Sequence, residues 1–476
     1  MTEAELNTII ALPNAAIIAP AGHGKTEMIA EIVKRSARKL LLLTHTNAGV
    51  DAITKRLTKK AISKTKYEVS TIAAFCMKWC LSYTNTAHFD KTITPFGKQT
   101  KQYYSQLYTG TKCIFQNQWP CSILHASYGG IVIDEYQDCI QEQHEIFVAL
   151  NQYLPIIVLG DPMQGIFSFA GKLVDWSALP FSIINVETYP WRWEHSNKEL
   201  GGYLNDIRSQ LLPILKNIPC TIQIDINKEC IEIISPDKFN RQNCYNLLPA
   251  LQRYRNIVFI TKWSNKQLDL CSWMPGIFQF DEKQDCDELY EYAQIFDDSQ
   301  NENLLLKVMN FVQCCTTGVS TNLSVYKKKL ENKDFDFHRI KNNVEFGKIL
   351  QKAIGMKKEE AILKLLKWFN CNKSIYKQYR SELLSEMTRS VKYAIEKNIP
   401  IYEAATHLRR DGSLQKRYSN FKFLSSRTLL SKGLEFDCVI IDMTDQLSAK
   451  DFYVAMTRAM KKIYIISDTT TFTFNK

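Results

Sequence analysis

The chain has 476 residues, 45% of them hydrophobic and 11% aromatic, which excludes a globally disordered protein and predicts two to four packed domains. Its 60 Lys and Arg against 49 Asp and Glu give a net charge of +11, whose meaning depends on where the charges lie. No run of about 18 uncharged apolar residues occurs, and the first residues lack the basic-then-apolar pattern of a signal peptide. We therefore expect a cytoplasmic protein with no membrane partner. The 14 cysteines include no Cys-x-x-Cys pair, which favours reduced core thiols over a zinc site or a metal cluster.

The first predicted strand, Ala16–Ala19, runs into a loop of small residues and then a helical pattern from Glu27 to Arg38. The spacing Ala19-x4-Gly24-Lys25-Thr26 is that of a phosphate-binding loop with Ala at its first position. Backbone amides of such a loop, together with the helix N-terminus, surround phosphate oxygens. Lys25 would reach the β- and γ-phosphates of ATP, and Thr26 would offer its hydroxyl to Mg²⁺. The alternative is an ordinary strand-turn-helix connection. The loop residues that we expect to bind the nucleotide are Ala21, Gly22, His23, Gly24, Lys25 and Thr26.

Short apolar strands then alternate with helices. Leu40–Thr44 and Val69–Ile72 are predicted to be the second and third strands. One amphipathic helix, from Glu27, lies between the first and second strands, and another, from Ala48, lies between the second and third. This alternation predicts a parallel sheet with right-handed crossovers, and therefore an α/β fold. Residues 80–125, rich in Thr, Tyr, Gln and Lys, interrupt the alternation and predict a small insertion.

Polar residues follow the next two buried strands. Asp134 and Glu135 follow the predicted strand Ile131–Ile133. They would lie at the carboxyl end of this strand, where ligands bind in open α/β sheets. Asp134 would hold Mg²⁺ and Glu135 would activate the attacking water, although Asp-Glu pairs also occur in surface turns. The strand Ile156–Leu159 leads to Gln164, whose amide can sense a γ-phosphate.

The second half contains strands at Ile257–Thr261 and Ile463–Ser467 and an uneven distribution of charge. Residues 281–302 contain nine acidic residues and one basic residue, whereas residues 327–423 contain 23 Lys or Arg against 11 Asp or Glu. Aromatic residues interleave with these cations, as a polyanion-binding surface requires. A lysine-rich solvated helical face would look the same, so both interpretations stay open. Apolar residues at helical spacing in 304–312 and 361–369 indicate that this region is helical.

Several segments, taken in order, form a specific pattern. They are Leu43–Ala48, Ser70–Phe75, Asp134–Asp138 (D-E-Y-Q-D), Gly160–Phe169 (beginning G-D-P-M-Q), Trp191–Arg192, Ser431–Asp437 (with K-G-L-E-F) and Tyr453–Ala459 (Y-V-A-M-T-R-A). Together with the phosphate-binding loop, these segments resemble the motifs of UvrD/Rep-like DNA helicases of superfamily 1, and the resemblance covers nearly the whole chain. In its compact insertions the chain is similar to the helicase-like component of Gabija anti-phage systems.

The resemblance implies a role for each matching residue. Catalytic roles fall to Lys25, Glu135, Gln164, Arg192 and Arg458, with Arg458 as the arginine finger. Trp191 would stack on adenine and Glu435 would bind the ribose. The residues expected to contact nucleic acid are Thr44, His45, Asn47, Phe75 and Phe169.

The resemblance also implies two RecA-like P-loop NTPase domains, with a small insertion in the first and a helical insertion in the second. The first domain would comprise 1–79 and 126–185 with the insertion 80–125, and the second would comprise 186–296 and 424–476 with the basic insertion 297–423. ATP and Mg²⁺ are the expected cofactors, and single-stranded or tailed DNA is the expected partner. Lys25 and Arg458 would lie on different domains, so that closure of the domains clamps ATP.

Four positions depart from the family pattern. Residues 1–20 contain no Gln to read adenine, a role that Asn7 could take, and Glu27 replaces an Arg that often follows the loop. Leu429 and Ala170 stand where many members have His and Arg. These departures concern adenine specificity and the coupling of DNA binding to hydrolysis.

The favoured function is an ATP-driven translocase or 3′-to-5′ helicase on single-stranded DNA, with the polarity taken from the resemblance. The alternative is a DNA-stimulated ATPase sensor that signals to an OLD-family nuclease in anti-phage defence and unwinds little itself. A P-loop kinase is disfavoured because it would need neither Gln164 nor Arg458 in their motifs.

Overall fold

The computed structural model describes residues 3–93, 99–167, 171–184, 186, 188–282, 286–410 and 421–475. The chain forms two compact units: unit 1 is Met1–Pro236 with Ser431–Lys476, and unit 2 is Asp237–Leu430. We describe each unit by itself. The domain boundaries predicted from the sequence divide the chain differently and stay a prediction.

The main sheet of unit 1 has six parallel strands in the order β3-β2-β4-β5-β1-β6. Strands β2, β4 and β5 are buried along their whole length, as expected for a parallel sheet covered by helices on both faces. Ile18 of β1 pairs with Gly160 of β5, and Leu43 of β2 pairs with Ile133 of β4, so the carboxyl ends of these strands meet at one edge. The strands are β1 (Asn14–Ile18), β2 (Leu40–Thr44), β3 (Tyr67–Thr71), β4 (Gly130–Ile133), β5 (Ile156–Gly160) and β6 (Ile183–Ile184).

The predicted parallel α/β alternation is therefore confirmed for this sheet, and the predicted insertion at 80–125 is largely helical. Its helices pack on the one that follows β3, where Phe75, Trp79 and Phe115 form an aromatic core. The helices of this part of unit 1 are α1 (Glu3–Ala11), α2 (Lys25–Arg35), α3 (Asn47–Lys59), α4 (Ile72–Ser82), α5 (Thr84–Ala87), α6 (Thr100–Phe115), α7 (Pro120–Ser127) and α8 (Gln141–Asn151).

The rest of unit 1 adds a second set of parallel strands, in which β13 lies between β12 and β8. A separate antiparallel pair joins β14 to β7, with Thr471 opposite Gln223. The elements are α9 (Lys198–Leu211), β7 (Cys220–Gln223), β8 (Ile231–Ile234), β12 (Phe436–Asp442), α21 (Ala449–Met456), β13 (Ala459–Ile466) and β14 (Thr471–Phe474).

Unit 2 combines three parallel strands, in the order β10-β11-β9, with a large helical body. The helical body has one continuous apolar core that runs from Cys286 to Ala405. Both segments predicted to be amphipathic helices are helical, as α13 and α17. The elements are α10 (Leu248–Leu251), β9 (Ile257–Ile260), α11 (Ser264–Trp273), β10 (Gln279–Phe280), α12 (Asp287–Asp298), α13 (Asn301–Cys315), α14 (Val319–Asn322), α15 (Ser324–Glu331), α16 (Val344–Ile354), α17 (Lys358–Cys371), α18 (Ser381–Lys397), α19 (Ile401–Arg410) and β11 (Phe423–Ser426), followed by α20 (Thr428–Ser431).

A buried ion cluster anchors the helical body of unit 2. Arg380, 4% exposed, donates from Nε and one terminal nitrogen to Glu282, both at 2.6 Å, and from the other nitrogen to Glu288 at 2.5 Å. Its guanidinium also lies 4.9 Å from the ring centroid of Phe280. The cluster thus ties α12 and the start of α18 to the segment that follows β10.

Two expectations drawn from composition can be compared with the structure. All 14 cysteines are free thiols, and ten of them are buried. Within the described ranges, no helix has the length and apolar character needed to cross a membrane.

Candidate nucleotide site

The loop between β1 and α2 has the backbone of a phosphate cradle. Gly22 and Gly24 have φ angles of 72° and 86°, in the left-handed region that side chains rarely adopt. A Cβ on Gly22 would lie 2.6 Å from the ring of Trp193, so the position is closed sterically as well. Helix α2 begins at Lys25, which directs its first free N–H groups into the loop. The predicted strand-loop-helix arrangement is therefore present.

Two loop side chains are held inside this cradle. Lys25 is 9% exposed, and its Nζ donates to the carbonyl of Ala19 at 3.3 Å. His23 is 3% exposed, with Nδ1 2.8 Å from the carbonyl of Ala21, and burial lowers the pKa of its imidazole. Lys25 is thus a desolvated cation beside the glycine turns, where a phosphate would neutralise it.

The two predicted carboxylates lie where β4 ends. Asp134 is 6% exposed, and its Oδ1 accepts the backbone N–H of Glu135 at 2.9 Å. Burial raises the pKa of Asp134, and the neighbouring Glu135 carboxylate raises it further against the effect of Lys25. Burial also opposes the charge on Glu135, but Lys25 and Lys432 hold the pKa of Glu135 below its ordinary value. The pair therefore carries one firmly ionised carboxylate within the field of the loop lysine.

A polar network connects this pair to the end of β5. The amide of Gln137 donates to Glu135, and its oxygen accepts the backbone N–H of Asp161 at 2.9 Å. Next to it, Lys432 donates to the carboxylate of Asp138 and to the carbonyl of Gln164. Burial raises the pKa of Asp138 to about 6, while Lys432 lowers it. Residues 294 positions apart in the sequence thus form one buried ion pair.

Gln164 is the predicted γ-phosphate sensor and lies in a short turn, Pro162–Gln164, directly after β5. It is 3% exposed, and its amide nitrogen finds no hydrogen-bond partner among the residues that the structure describes. A buried amide donor without an acceptor costs free energy and needs an explanation. A phosphate oxygen would supply the acceptor.

The segment Trp191–Trp193 packs directly on the phosphate loop. The backbone N–H of Arg192 donates to the carbonyl of Gly22 at 3.1 Å, and a Cβ on Gly24 would lie 3.3 Å from Cδ1 of Trp191. Trp191 is 62% exposed, so its ring is accessible for stacking on a base. Arg192 forms an ion pair with Glu435 at 2.8 Å and donates to the carbonyl of Thr457 at 2.8 Å.

Arg458, the predicted arginine finger, is 3% exposed and follows α21. It donates to the carbonyls of Val454 and Leu434 and to the hydroxyl of Thr457, at 3.1, 3.3 and 3.0 Å. Burial and the charge of Arg192 together lower its pKa to about 10, against the effect of Glu135. Since Arg192 and Glu135 both act on it, Arg458 lies in the same electrostatic field as the phosphate loop, and all these residues belong to unit 1.

The residue set fits Mg²⁺ and ATP. In P-loop enzymes one hydroxyl, one carboxylate and the phosphates hold Mg²⁺, and Thr26 and Asp134 supply such a pair. No cluster of three or more His, Cys, Asp or Glu that could bind a metal occurs in the described part of the chain. The glycine turns and the orphaned amide of Gln164 are the features that fit a triphosphate.

The residues predicted to contact nucleic acid differ in how exposed they are. Thr44 ends β2 and is buried, and Asn47 is exposed in the first turn of α3. His45 is half-buried, with Nε2 3.5 Å from the thiol of Cys139. Phe75 is 5% exposed and stacks on Phe115, with centroids 6.1 Å apart, so its ring is a core residue and this placement gives no support to base stacking. Phe169 and Ala170 lie outside the described residues.

Five residues of this network received no role from the sequence: Gln137, Asp138, Asp161, Arg208 and Lys432. Four of them lie inside the segments that carry the resemblance, and their position there is the signal that could have identified them. Arg208 lies in α9, outside those segments, and only the fold reveals that it donates to the carboxylate of Asp161 at 2.9 Å.

A cationic cavity of about 510 Å³ lies at the start of α21 in unit 1. Two lysines, Lys172 and Lys450, contribute its positive charge, and burial lowers the pKa of Lys450. The cavity is open to solvent, and Asp451 also lines it. Its lining residues are Gly165, Ile166, Gly171, Lys172, Leu173, Ser448, Lys450 and Asp451.

Residues 2–170 of the chain match the family model of an AAA domain. This part contains the phosphate loop, the Asp134-Glu135 pair and Gln164. No relative was found among curated proteins. Among solved structures, the chain is similar to a crystal structure of Pif1 helicase from Candida albicans, at 10% identity and a TM-score of 0.35, over 99% of this chain and 96% of that one. The residues that match the AAA model include strands β1 to β5 of the main sheet of unit 1.

Proposed function

We propose that the protein is an ATP-dependent DNA translocase or helicase of superfamily 1. The observation that carries this proposal is the convergence, within unit 1, of the phosphate loop with Gln164, Arg192 and Arg458. Two arginines from distant segments beside the same loop can neutralise the charge of a transferring phosphoryl group, which supports NTP hydrolysis. The coupling of hydrolysis to movement on DNA rests on the resemblance to superfamily 1 helicases.

The chain's own residues divide the work of hydrolysis. Lys25, Arg192 and Arg458 supply positive charge to the transferring phosphoryl group, which needs neutralisation and positioning rather than covalent help. Glu135, ionised and held by Gln137, orients and accepts a proton from the attacking water. Mg²⁺, when bound through Thr26 and Asp134, adds further charge neutralisation at the phosphates. Trp191 is the exposed platform for the adenine, beside Glu435 for the ribose.

Two surfaces are available for the nucleic acid. In unit 1 the cationic cavity at Lys172 and Lys450 suits a phosphate backbone. In unit 2, Trp263 is 51% exposed at the end of β9, with Lys262 5.2 Å from its ring centroid, which is the aromatic and cationic pairing that single strands use for stacking. The basic helical body adds many exposed lysines. The preferred polarity, 3′ to 5′, rests on the resemblance to UvrD/Rep-like helicases.

The test is ATP hydrolysis with and without single-stranded DNA, followed by strand separation of a 3′-tailed and a 5′-tailed duplex. We expect DNA to stimulate hydrolysis and the 3′-tailed duplex to be unwound. DNA affinity should also fall steeply with salt because phosphate contacts release counterions. Absence of any DNA stimulation would contradict the proposal, and unwinding of the 5′-tailed duplex alone would correct the polarity.

A second candidate is a DNA-stimulated ATPase sensor that activates a nuclease partner in anti-phage defence. The resemblance of the compact insertions to those of the helicase-like component of Gabija systems supports it. This candidate predicts DNA-stimulated hydrolysis without unwinding by the isolated protein. Addition of an OLD-family nuclease, followed by ATP-dependent control of DNA cleavage, would then identify the partner.

A further inference from the structure

Asp161 is the most deeply buried charge at the end of β5, at 0% exposure. Its Oδ1 accepts from a terminal nitrogen of Arg208 at 2.9 Å and from the backbone N–H of Met163 at 3.2 Å, and its Oδ2 accepts from the hydroxyl of Tyr453 at 3.0 Å. Its own N–H donates to Gln137. Asp161 is thus fully engaged, with partners from three separate segments of unit 1.

Each partner of this carboxylate leads to a different part of the nucleotide site. Tyr453, 2% exposed, lies on α21, the helix that ends just before Arg458. Asp161 is itself next to the phosphate loop, because the carbonyl of the preceding residue, Gly160, accepts the backbone N–H of Ala19 at 3.0 Å. Asp161 begins the turn that carries Gln164, and Arg208 lies on α9, which follows the Trp191–Trp193 segment. One buried carboxylate, at the start of the sensor turn and next to the phosphate loop, is therefore bound by the helix that precedes the arginine finger.

We propose that Tyr453, Asp161 and Arg208 are positioning residues that hold Gln164 and Arg458 in register with the phosphate loop, so that γ-phosphate contact and the arginine finger act together. This inference rests on the proposed ATPase function. None of the three side chains needs to touch the nucleotide. Because the interior is closely packed, loss of one bond shifts α21 and the sensor turn as discrete elements rather than by gradual deformation.

The discriminating variant is Tyr453→Phe, which keeps the ring and removes the hydroxyl. We expect kcat for ATP to fall about ten- to hundredfold, the range for loss of one hydrogen bond to a charged acceptor, with KM changed less than about threefold. Stimulation by DNA should fall with kcat, whereas binding of a fluorescent ATP analogue should be retained. The matched control is Tyr203→Phe, which removes the hydroxyl that accepts the N–H of Asp225 in the same unit, 3.1 Å away.

Arg208→Lys and Arg208→Gln form a second pair that does not depend on the tyrosine. Lysine keeps the charge next to Asp161 and should restore part of kcat, whereas glutamine should lower it as Tyr453→Phe does. Unchanged kcat in Tyr453→Phe, or equal losses in Tyr453→Phe and Tyr203→Phe that follow their thermal unfolding, would overturn the positioning role. If the unmodified protein hydrolyses no ATP, the proposed function itself fails, and this is a separate result from an active protein with insensitive variants.

Discussion

Buried charges occur in both units, but their partners differ. In unit 2, Arg380 is enclosed by Glu282 and Glu288, and although burial opposes its charge, these carboxylates raise its pKa above the ordinary value. In unit 1, burial lowers the pKa of Arg458 to about 10, and every hydrogen bond recorded for it goes to a neutral oxygen. Arg380 is neutralised by directly bonded carboxylates, whereas Arg458 is hydrogen-bonded to neutral oxygens and experiences Glu135 only through its electrostatic field.

The difference in partners distinguishes an ion cluster that stabilises the fold from one that can bind a ligand. A buried cation with matched carboxylates is complete and needs no ligand. A group of cations around glycine turns, with the orphaned amide of Gln164 beside it, is complete only when an anion binds. The contrast predicts that substitutions in unit 1 change catalysis, whereas substitutions at Arg380 change stability.

The largest effect is expected for Arg458→Ala. Removing an arginine finger lowers kcat by about 10³ to 10⁵ in related chemistry, so ATP hydrolysis should nearly vanish while ATP affinity is largely kept. Steady-state hydrolysis and binding of a fluorescent ATP analogue measure the two quantities. Arg253→Ala, at an exposed arginine of unit 2, serves as the control and should leave both unchanged. A kcat within about tenfold of the unmodified protein would remove Arg458 from the catalytic set.

The structural role of the Arg380 cluster in unit 2 is tested by Glu282→Gln. This change leaves Arg380 buried with a single carboxylate, Glu288, whose side chain is 49% exposed. Breaking one side of a buried pair costs about 3 to 5 kcal/mol in the free energy of unfolding, measured by chemical denaturation. Glu403→Gln, which breaks an exposed pair with His407, should cost under about 1 kcal/mol. If Glu282→Gln instead abolished ATP hydrolysis below its unfolding temperature, the cluster would not be purely structural.

The sequence predicted the first five strands of the main sheet and the loop at Lys25 because local periodicity and spacing determine them, but it did not predict the two-residue strand β6. The roles of Asp134, Gln164 and Arg458 come from motif order and resemblance and stay predictions. It missed the pairing of Lys432 with Asp138, and of Arg208 with Asp161, because such contacts join residues far apart in the chain. Phe75 illustrates the opposite failure: α6 of the insertion covers it with Phe115, and no local pattern reveals that cover.

A third, smaller effect concerns His45. Burial lowers its pKa from 6.5 to about 4, with Lys432 adding to the shift. Between pH 4 and pH 6.5, His45 is therefore protonated in the unfolded chain and neutral in the folded chain. The free energy of unfolding should have its full value above about pH 6.5 and should be lower by about 2 kcal/mol at pH 5 and by about 3 kcal/mol at pH 4. His45→Phe should flatten this acid limb in denaturation curves at pH 7 and 5, whereas His338→Phe, at an exposed position of unit 2, should not. An unchanged slope in His45→Phe would show that other groups cause it.

The smallest effect is expected for Trp191→Ala, which tests the solvent-exposed edge of the candidate nucleotide site. The ring lies over Gly24 but is 62% exposed, so its stacking on adenine should contribute about 1 kcal/mol, or fivefold in ATP affinity. Because the ring lies away from the γ-phosphate, kcat should stay nearly constant, unlike in Arg458→Ala. Trp263→Ala is the matched control: it removes the exposed tryptophan of unit 2 and should weaken binding of single-stranded DNA without changing ATP affinity. If ATP affinity were unchanged in Trp191→Ala, the ring would not bind the base. Recognition of adenine, if the unmodified protein prefers ATP to GTP, would then have to come from α1, where Asn7 accepts a hydrogen bond from Arg35.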